Sequence, residues 1–355
     1  MTKQNLDIAI FGATGHIGKN LSYYFSQNKK NNLVLFGRNK KKIQKIMNQI
    51  IPDGNYSFAG YNEFNNKKYD VIINCIGIGN PEDIIENRDI LKITEYYDNK
   101  ILEYIKNKKS VIYINFSSGA IFGQTIESPI SESSLASINV NKLNEGAYYA
   151  ISKLYSEAKH RNLKNLNIVD LRIFSFFSRF INLQDEFLMS NITNSIKFNK
   201  KLVTDKNDII RDYVHPEDLF RIIEKCIKKE KINIALDISS KKPISKFSLL
   251  KSLAKKYELN YVISNKIKTS PTGLKTKYYS KSKKITELGI IPKYTSLQTI
   301  SMELEFLTNS NSWYIKILRY HDSISGLKSD HIFLWIGDIF FNVLNIRHLL
   351  ELPVL

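Results

Sequence analysis

The sequence predicts an α/β fold built on a doubly wound parallel sheet, with a smaller α/β lobe after it. Short runs rich in β-branched and aromatic residues alternate with helical patterns in the first half of the chain, as a parallel sheet covered by helices requires. A glycine-rich turn, FGATGHIG at residues 11–18, lies directly between the first strand and the first helix. A chain of 355 residues is long enough for such a domain and a second lobe.

The alternating pattern predicts six strands, at residues 6–11, 33–36, 56–59, 71–76, 111–116 and 168–173. The first helix carries Ile17, Leu21 and Phe25 at four-residue spacing, which gives one apolar stripe facing a sheet. A further helix is expected around residues 147–160, just before the sixth strand. Together these elements predict a Rossmann-type core.

After residue 181 the pattern changes to shorter elements. Helices are expected near residues 186–198, 216–227 and 245–257, and a strand at 234–238. We therefore expect a Rossmann domain over residues 1–180 and a smaller lobe over 181–309. Segments around 205–240 are the ones that would return to the first domain.

The last segment, residues 310–355, is apolar but is interrupted by Asp338 and Arg347. Its apolar runs are shorter than the roughly 20 residues that a membrane-spanning helix needs. We expect a helix that packs on the protein, with peripheral membrane contact through residues 331–355 as the alternative. The first ten residues lack the apolar core of a signal peptide, so a cytoplasmic location is expected.

Composition excludes several other classes of protein. The formal net charge is +18, but the lysines are scattered rather than gathered into a basic arm, so no nucleic-acid partner is expected. A positive field of this kind would still attract an anionic substrate. Cys75 and Cys226 are the only cysteines and have no metal-ligand spacing, which predicts neither a disulfide nor a metal site.

The glycine-rich turn is the strongest local signal. Gly12 and Gly15 permit a tight turn that approaches a pyrophosphate closely, and Gly18 lets the helix pack on the strand. The turn predicts a site for a dinucleotide, NAD(H) or NADP(H). The residues expected to bind it are Gly12, Thr14, Gly15, His16, Ile17 and Gly18, with His16 contributing backbone contacts.

Two further strand ends bear on the cofactor. The second strand is followed by Gly37 and Arg38, where NAD-binding proteins carry an acidic residue for the ribose hydroxyls. Arg38 favours NADP(H), because a guanidinium can bind a 2′-phosphate; NAD(H) and a merely solvated Arg38 are the alternatives. After the fourth strand, Gly77 would let the backbone pass close to the cofactor, and Cys75 is expected to be a small buried residue.

A Ser, Tyr and Lys set follows the fifth strand. Ser118 comes just after that strand, and Tyr149 and Lys153 lie 31 and 35 residues later, four residues apart on one helix face. There the ammonium would lower the phenol pKa and bind the nicotinamide ribose. Tyr149 would exchange a proton with a carbinol or carbonyl oxygen that Ser118 holds. We therefore expect Ser118, Tyr149 and Lys153 to be the catalytic residues.

With these motifs, residues 5–309 resemble the extended short-chain dehydrogenase/reductases, which modify nucleotide-linked sugars. The segment RDYVHPEDL at 211–219 is similar to the family's segment before a helix of the substrate lobe. The resemblance implies that Arg211 contacts the substrate's diphosphate; pairing of Arg211 with Asp212 or Glu217 is the alternative. It also implies that Phe174 contacts the cofactor, that Ser175 contacts the substrate and that the protein forms a homodimer.

The resemblance also narrows the choice of reaction type. Its 4,6-dehydratases carry an Asp-Glu pair after the catalytic hydroxyl residue, whereas this chain has Gly119 and Ala120, which disfavours elimination. We expect a keto-sugar reductase, since Arg38 favours NADP(H), with an epimerase that retains NAD as the alternative. A non-catalytic dinucleotide-binding regulator and a membrane-associated assembly subunit are the alternatives from other classes. No Tyr-Gly-Pro follows Ser175, and Lys281 replaces a common Asp, so the sugar is left open.

Overall fold

The computed structural model describes residues 5–77, 89–265 and 275–308. Its strands are β1 (Asp7–Phe11), β2 (Asn32–Phe36), β3 (Tyr56–Ala59), β4 (Val71–Asn74), β5 (Ile112–Ser118), β6 (Asn167–Ile173), β7 (Ser175–Phe176), β8 (Leu202–Asp205), β9 (Ile210–Arg211), β10 (Tyr213–Val214), β11 (Asn233–Ile238), β12 (Ile244–Ser245), β13 (Tyr261–Ser264) and β14 (Lys277–Tyr278). Its helices are α1 (His16–Ser26), α2 (Lys40–Ile50), α3 (Ile90–Ile105), α4 (Glu145–Asn162), α5 (Leu188–Lys197), α6 (Pro216–Ile227), α7 (Lys246–Tyr257), α8 (Lys284–Glu287) and α9 (Ser296–Thr308).

The central sheet has seven strands in the order β11-β6-β5-β4-β1-β2-β3, and each neighbouring pair is parallel. All of β4 and β5 is buried, as expected for strands covered by helices on both faces. The strand order reverses between β1 and β4, which opens a crevice at their carboxyl ends. The predicted Rossmann-type fold is confirmed.

The seventh strand, β11, lies in the central sheet, and it falls within the segments around 205–240 that were expected to return to the first domain. β11 pairs with β6 over its whole length, from Asn233 beside Ile168 to Ile238 beside Ile173. The helix before it, α6, packs on α1 through Phe220, whose ring centroid lies 5.3 Å from that of Tyr24. A buried apolar strand has the same pattern in any sheet, so periodicity could not assign β11 to one.

The lobe has its own apolar core, which joins α5, α7 and α9. The buried residues of this core include Met189, Ile192, Leu249, Leu253, Ile300 and Leu304. Pairs of very short strands cover it, and one of them sets Tyr278 of β14 beside Arg211 of β9. The segment after β6 is tied to α9 by an ion pair between Arg179 and the fully buried Glu303, at 2.8 Å. The lobe therefore holds β9 and β14 in a fixed position.

A buried polar network lies under the middle of the sheet. The imidazole of His160 on α4 lies between two carboxylates, 2.8 Å from Asp98 on α3 and 2.8 Å from Asp170 on β6. Burial alone would lower the pKa of His160, but the hydrogen bonds and charges of both carboxylates outweigh it and raise the pKa to about 9. His160 is therefore a buried cation at neutral pH.

The apolar segment over residues 310–355, with the membrane contact expected at 331–355, lies outside the described residues. Within the ranges that are described, none of the helices combines the length and the apolar character of a bilayer-spanning segment.

Candidate active site

The glycine-rich turn follows β1 and opens α1. Gly12 has a φ of +69°, and a Cβ there would lie 3.0 Å from the main-chain oxygen of Cys75, so a side chain would be both strained and crowded. A Cβ on Gly18 would lie 2.3 Å from the Gly12 oxygen, which fits the predicted close packing of helix on strand. Gly15 stands just before α1. The turn is thus a side-chain-free cradle at a helix N-terminus, where an anion is stabilised.

His16 is anchored by its side chain. The Nε2 atom lies 2.8 Å from the Ser178 hydroxyl, and the ring packs on Phe176 with centroids 4.9 Å apart. Burial, with the charge of Lys19, lowers the pKa of His16 to about 3, so the imidazole is neutral. Its side chain ties the glycine turn to the segment after β6. Thr14 and Ile17 flank it on the same turn.

Arg38 is exposed at the end of β2, while its neighbour Asn39 caps α2 by accepting a hydrogen bond from the Lys42 amide at 3.0 Å. Burial raises the pKa of the Tyr61 and Tyr97 phenols, and the positive charge of Arg38 opposes this rise. The ring centroids of these two tyrosines lie 4.6 Å apart. The Tyr61 hydroxyl accepts a hydrogen bond from the Gly12 amide at 3.3 Å. Arg38 and these two tyrosines therefore border the glycine turn.

The expected catalytic residues come together at the end of β5. The Ser118 hydroxyl is near enough to Tyr149 to influence its pKa. The Lys153 ammonium is buried, donates to the Phe116 carbonyl at 2.8 Å, and lies 3.4 Å from where a Gly77 Cβ would stand. The distant segments that carry Ser118, Tyr149, Lys153 and Gly77 thus meet at one point, at the carboxyl edge of the sheet.

The electrostatics of this cluster differ from the expectation. The sequence predicted that Lys153 lowers the pKa of Tyr149, but burial raises it, with the Ser118 hydroxyl opposing the rise. Burial also lowers the pKa of Lys153, against the attraction of the carboxylates of Asp98 and Asp170. The physical reason is that desolvation penalises both the phenolate and the ammonium. Cys75 is half-buried and burial raises the pKa of its thiol, so it is not a reactive thiolate.

Phe174 packs beside Gly119, the residue that follows Ser118. Its ring would lie 2.4 Å from a Cβ on Gly119, and its centroid lies 5.1 Å from that of Tyr278. No side chain larger than hydrogen fits at residue 119 while Phe174 keeps this position. Ser175 begins the short strand β7 beside Tyr213, which is part of the lobe core. Phe174 is thus placed beside Gly119, directly after Ser118, and Ser175 lies at the border with the lobe.

The lobe brings two residues to the site that sequence reasoning missed, Tyr278 and Lys275. The Tyr278 hydroxyl lies 3.2 Å from the Ser118 hydroxyl. The Lys275 ammonium lies 4.8 Å from the Tyr278 ring centroid, and the Arg211 guanidinium carbon lies 5.6 Å from the same centroid. Neither Asp212 nor Glu217 pairs with Arg211 in the described ranges; Asp212 bonds Ser240, and Glu217 bonds Tyr294.

Comparison with family models assigns most of this chain. Residues 8–235 match the model of the NAD dependent epimerase/dehydratase family. The matched segment contains the glycine turn, Ser118, Tyr149, Lys153 and Arg211. None of the curated proteins matches the sequence significantly.

Solved structures agree in fold. UDP-glucuronic acid 4-epimerase from Bacillus cereus, in complex with UDP-glucuronic acid and NAD, is 16% identical, with a TM-score of 0.70 over 86% of this chain and 99% of that one. dTDP-glucose 4,6-dehydratase from Bacillus anthracis, in complex with NAD, is 16% identical, with a TM-score of 0.69 over 88% and 99%. UDP-glucose-4-epimerase from Stenotrophomonas maltophila, with bound NAD, is 13% identical, with a TM-score of 0.73 over 89% and 99%.

At this low identity the structural likeness shows the fold, and the family model shows the membership. The expected resemblance is confirmed on both counts: the chain belongs to the NAD-dependent epimerase/dehydratase family.

Proposed function

We propose that this protein is an epimerase that inverts a carbinol carbon of a nucleotide-linked sugar with a retained NAD. The observation that carries the proposal is the meeting of Ser118, Tyr149 and Lys153 beside Gly77, on the same sheet edge as the glycine turn. The similar structures named as 4-epimerases, with NAD in their complexes, support this reaction over the reductase that the sequence favoured.

The glycine turn and Gly77 suit a dinucleotide, because side chains on Gly12 or Gly18 would fill the space that its backbone approach needs. Such a cofactor supplies the oxidising and reducing equivalents. In this mechanism the Tyr149 phenolate takes the proton of the sugar hydroxyl during oxidation, becoming a phenol, and the phenol returns that proton during reduction. Ser118 holds the same oxygen, and its hydroxyl opposes the rise that burial causes in the pKa of Tyr149.

Water elimination is disfavoured on steric as well as chemical grounds. An elimination needs an acid and a base near the sugar, and Gly119 and Ala120 offer neither. Because the Phe174 ring occupies the space beside Gly119, a carboxylate at residue 119 would also displace that ring. The family's dehydratase reaction is therefore the less suitable assignment for this chain.

The proposal is tested on purified protein. We expect NAD to copurify, to be released only on denaturation, and the protein to interconvert the 4-epimers of UDP-glucose or UDP-glucuronate without added cofactor. Product formation is followed by NMR of the sugar, with dTDP- and GDP-linked glucose as further substrates. Protein that binds no dinucleotide would contradict the enzyme assignment, and copurifying NAD without turnover of any sugar would contradict the epimerase.

A second candidate is an NADPH-dependent keto-sugar reductase, and Arg38 is the observation that favours it. Its guanidinium is exposed at the end of β2, where a 2′-phosphate would lie. Selective and reversible NADPH binding, with reduction of a 4-keto sugar, would replace the epimerase by this candidate.

Replacing Arg38 with alanine tests its role directly. We expect affinity for NADPH to fall by about tenfold, since a charge-assisted bond to phosphate is lost, and affinity for NADH to change by less than about twofold. Calorimetry measures both, with Lys45→Ala as the control because Lys45 is also an exposed cation, on α2. Equal losses for the two dinucleotides would show that Arg38 does not bind the 2′-phosphate.

We further propose a homodimer formed through α3 and α4. Both helices expose aromatic side chains, with Tyr96 59% and Tyr155 49% accessible. Tyr155→Glu should convert a dimer into a monomer, because a buried carboxylate at the interface would be unpaired. Light scattering after size exclusion measures the mass. Phe198→Glu, at a 52% exposed residue on the lobe, is the matched control and should stay dimeric.

A further inference from the structure

Lys275 is a buried lysine without an acidic partner. It is 5% exposed, yet its ammonium has no hydrogen bond or ion pair anywhere in residues 5–77, 89–265 and 275–308. Another buried lysine of the lobe has an acidic partner: Lys246 is 3% exposed and contacts Asp205 at 3.0 Å. Lysines are rarely buried unless they are paired, because desolvation of the charge is costly. The position of Lys275 therefore needs an explanation.

Arg211 places a second cation beside it. Its Nη1 atom donates to the main-chain oxygens of Ile210 at 3.0 Å and of Lys275 at 2.7 Å. The structure gives its Nε and Nη2 atoms no hydrogen bond to the described part of the chain. Arg211 thus holds the main chain of Lys275 in place and keeps two of its donor atoms for another group.

Both cations flank Tyr278, whose hydroxyl is 3.2 Å from that of Ser118. The Tyr278 side chain therefore lies between these cations and Ser118. Burial and the like charge of Arg211 both disfavour the charged form of Lys275. An anion in contact with both cations would offset these costs, and the described residues give neither cation a carboxylate partner.

We propose that Lys275 and Arg211 form a two-cation subsite for an oxyanion of the substrate, and that Lys275 takes up a proton when this anion binds at neutral pH. The inference rests on the proposed function and adds Lys275 to the residues that bind the nucleotide-linked sugar. The oxyanion is either the diphosphate or a carboxylate on the sugar, since both present oxygens that a guanidinium and an ammonium can bind.

The electrostatics agree with proton uptake. Burial and the neighbouring charge of Arg211 lower the pKa of Lys275 to about 7. The titratable groups that face Lys275 are Arg211 of β9 and Tyr278 of β14, and burial keeps the Tyr278 phenol protonated by raising its pKa. A bound anion favours the charged ammonium, so affinity should be full below pH 7 and should fall as the pH rises above it.

Calorimetry with UDP-glucose and UDP-glucuronate tests this at about pH 6 and about pH 8.5, where neither ligand's diphosphate titrates. For the wild-type protein we expect binding about tenfold weaker at the higher pH. Lys275→Met should bind about tenfold more weakly at the lower pH and lose the pH dependence. Lys275→Arg should keep the affinity without the pH dependence, because arginine stays charged.

The matched control is Lys277→Met, since Lys277 is an exposed lysine two residues further along, on β14, and should behave like the wild type. A loss for both ligands in Lys275→Met supports the diphosphate as the oxyanion, and a loss for UDP-glucuronate alone supports the sugar carboxylate. Unchanged affinity of Lys275→Met for both ligands overturns the inference and leaves the epimerase intact. If neither ligand, nor dTDP- or GDP-glucose, binds the wild-type protein, the proposed function fails and the inference fails with it.

Discussion

Replacing Tyr149 with phenylalanine should lower the turnover number by about a thousandfold and leave the affinity for dinucleotide and sugar nearly unchanged. Positioned proton transfer typically contributes a factor of about 10² to 10⁴, and in the proposed mechanism Tyr149 is the group that carries the proton. Burial raises the pKa of its phenol, and the Ser118 hydroxyl opposes that rise. Turnover measured by NMR of the sugar, together with calorimetric affinities, separates the chemical step from binding.

Tyr148 provides the matched control for this substitution. It precedes Tyr149 on α4 but is 37% exposed, so Tyr148→Phe should keep turnover within about twofold of the wild type. If Tyr149→Phe retains more than about a tenth of the wild-type rate, Tyr149 is not the proton carrier. A parallel loss in Tyr148→Phe would indicate instead that α4 is disturbed by either change.

The sheet was predictable because its strands are short, buried and bounded by helical patterns. The glycine turn then identified the first strand and the first helix of the dinucleotide-binding fold. A strand followed directly by a helix needs Gly12 for the tight turn and Gly18 for the close packing of the helix on the strand. The strand β11 was predicted without its partner, β6, because a buried apolar pattern carries no information about pairing. Local sequence thus predicted the elements better than their long-range pairing.

The residues that the lobe brings to the site were less predictable than the sheet, for a physical reason. Strands β9, β12 and β14 are two residues long, which is too short for any periodicity to be read. Tyr278 and Lys275 gain their positions only through pairing with Arg211 and with Ile126, far away along the chain. Tyr61 likewise reaches Gly12 across 49 residues. Contacts of this kind depend on tertiary structure, and nothing in the surrounding residues indicates them.

The buried network around His160 should make the protein lose stability between about pH 6.5 and pH 9. The pKa of His160 is raised from 6.5 to about 9 in the folded chain. A group with a raised pKa stabilises the fold fully below its unfolded pKa, and this contribution disappears as the pH rises through the folded pKa. This difference between the folded and unfolded pKa of His160 corresponds to about 3 kcal/mol of unfolding free energy. Urea unfolding at about pH 6.5 and about pH 9 measures it.

Asp98→Asn isolates this contribution, because it removes one of the two carboxylates that keep His160 charged. We expect the loss of stability over the same pH range to shrink to about half, while Asp53→Asn, at an exposed aspartate, leaves it unchanged. An equal loss in Asp98→Asn and the wild type would mean that His160 is not a buried cation.

The same network connects stability with the site. Tyr113 donates to Asp98 at 2.9 Å and accepts from the Asn74 amide at 3.1 Å, and Asn74 in turn accepts from the Ile76 amide at 3.1 Å. Ile76 immediately precedes Gly77, beside Lys153. Because a half-satisfied buried network costs more than an apolar core, loss of charge on His160 should loosen the segment after β4. Asp98→Asn should therefore also weaken dinucleotide binding, whereas Asp53→Asn should not.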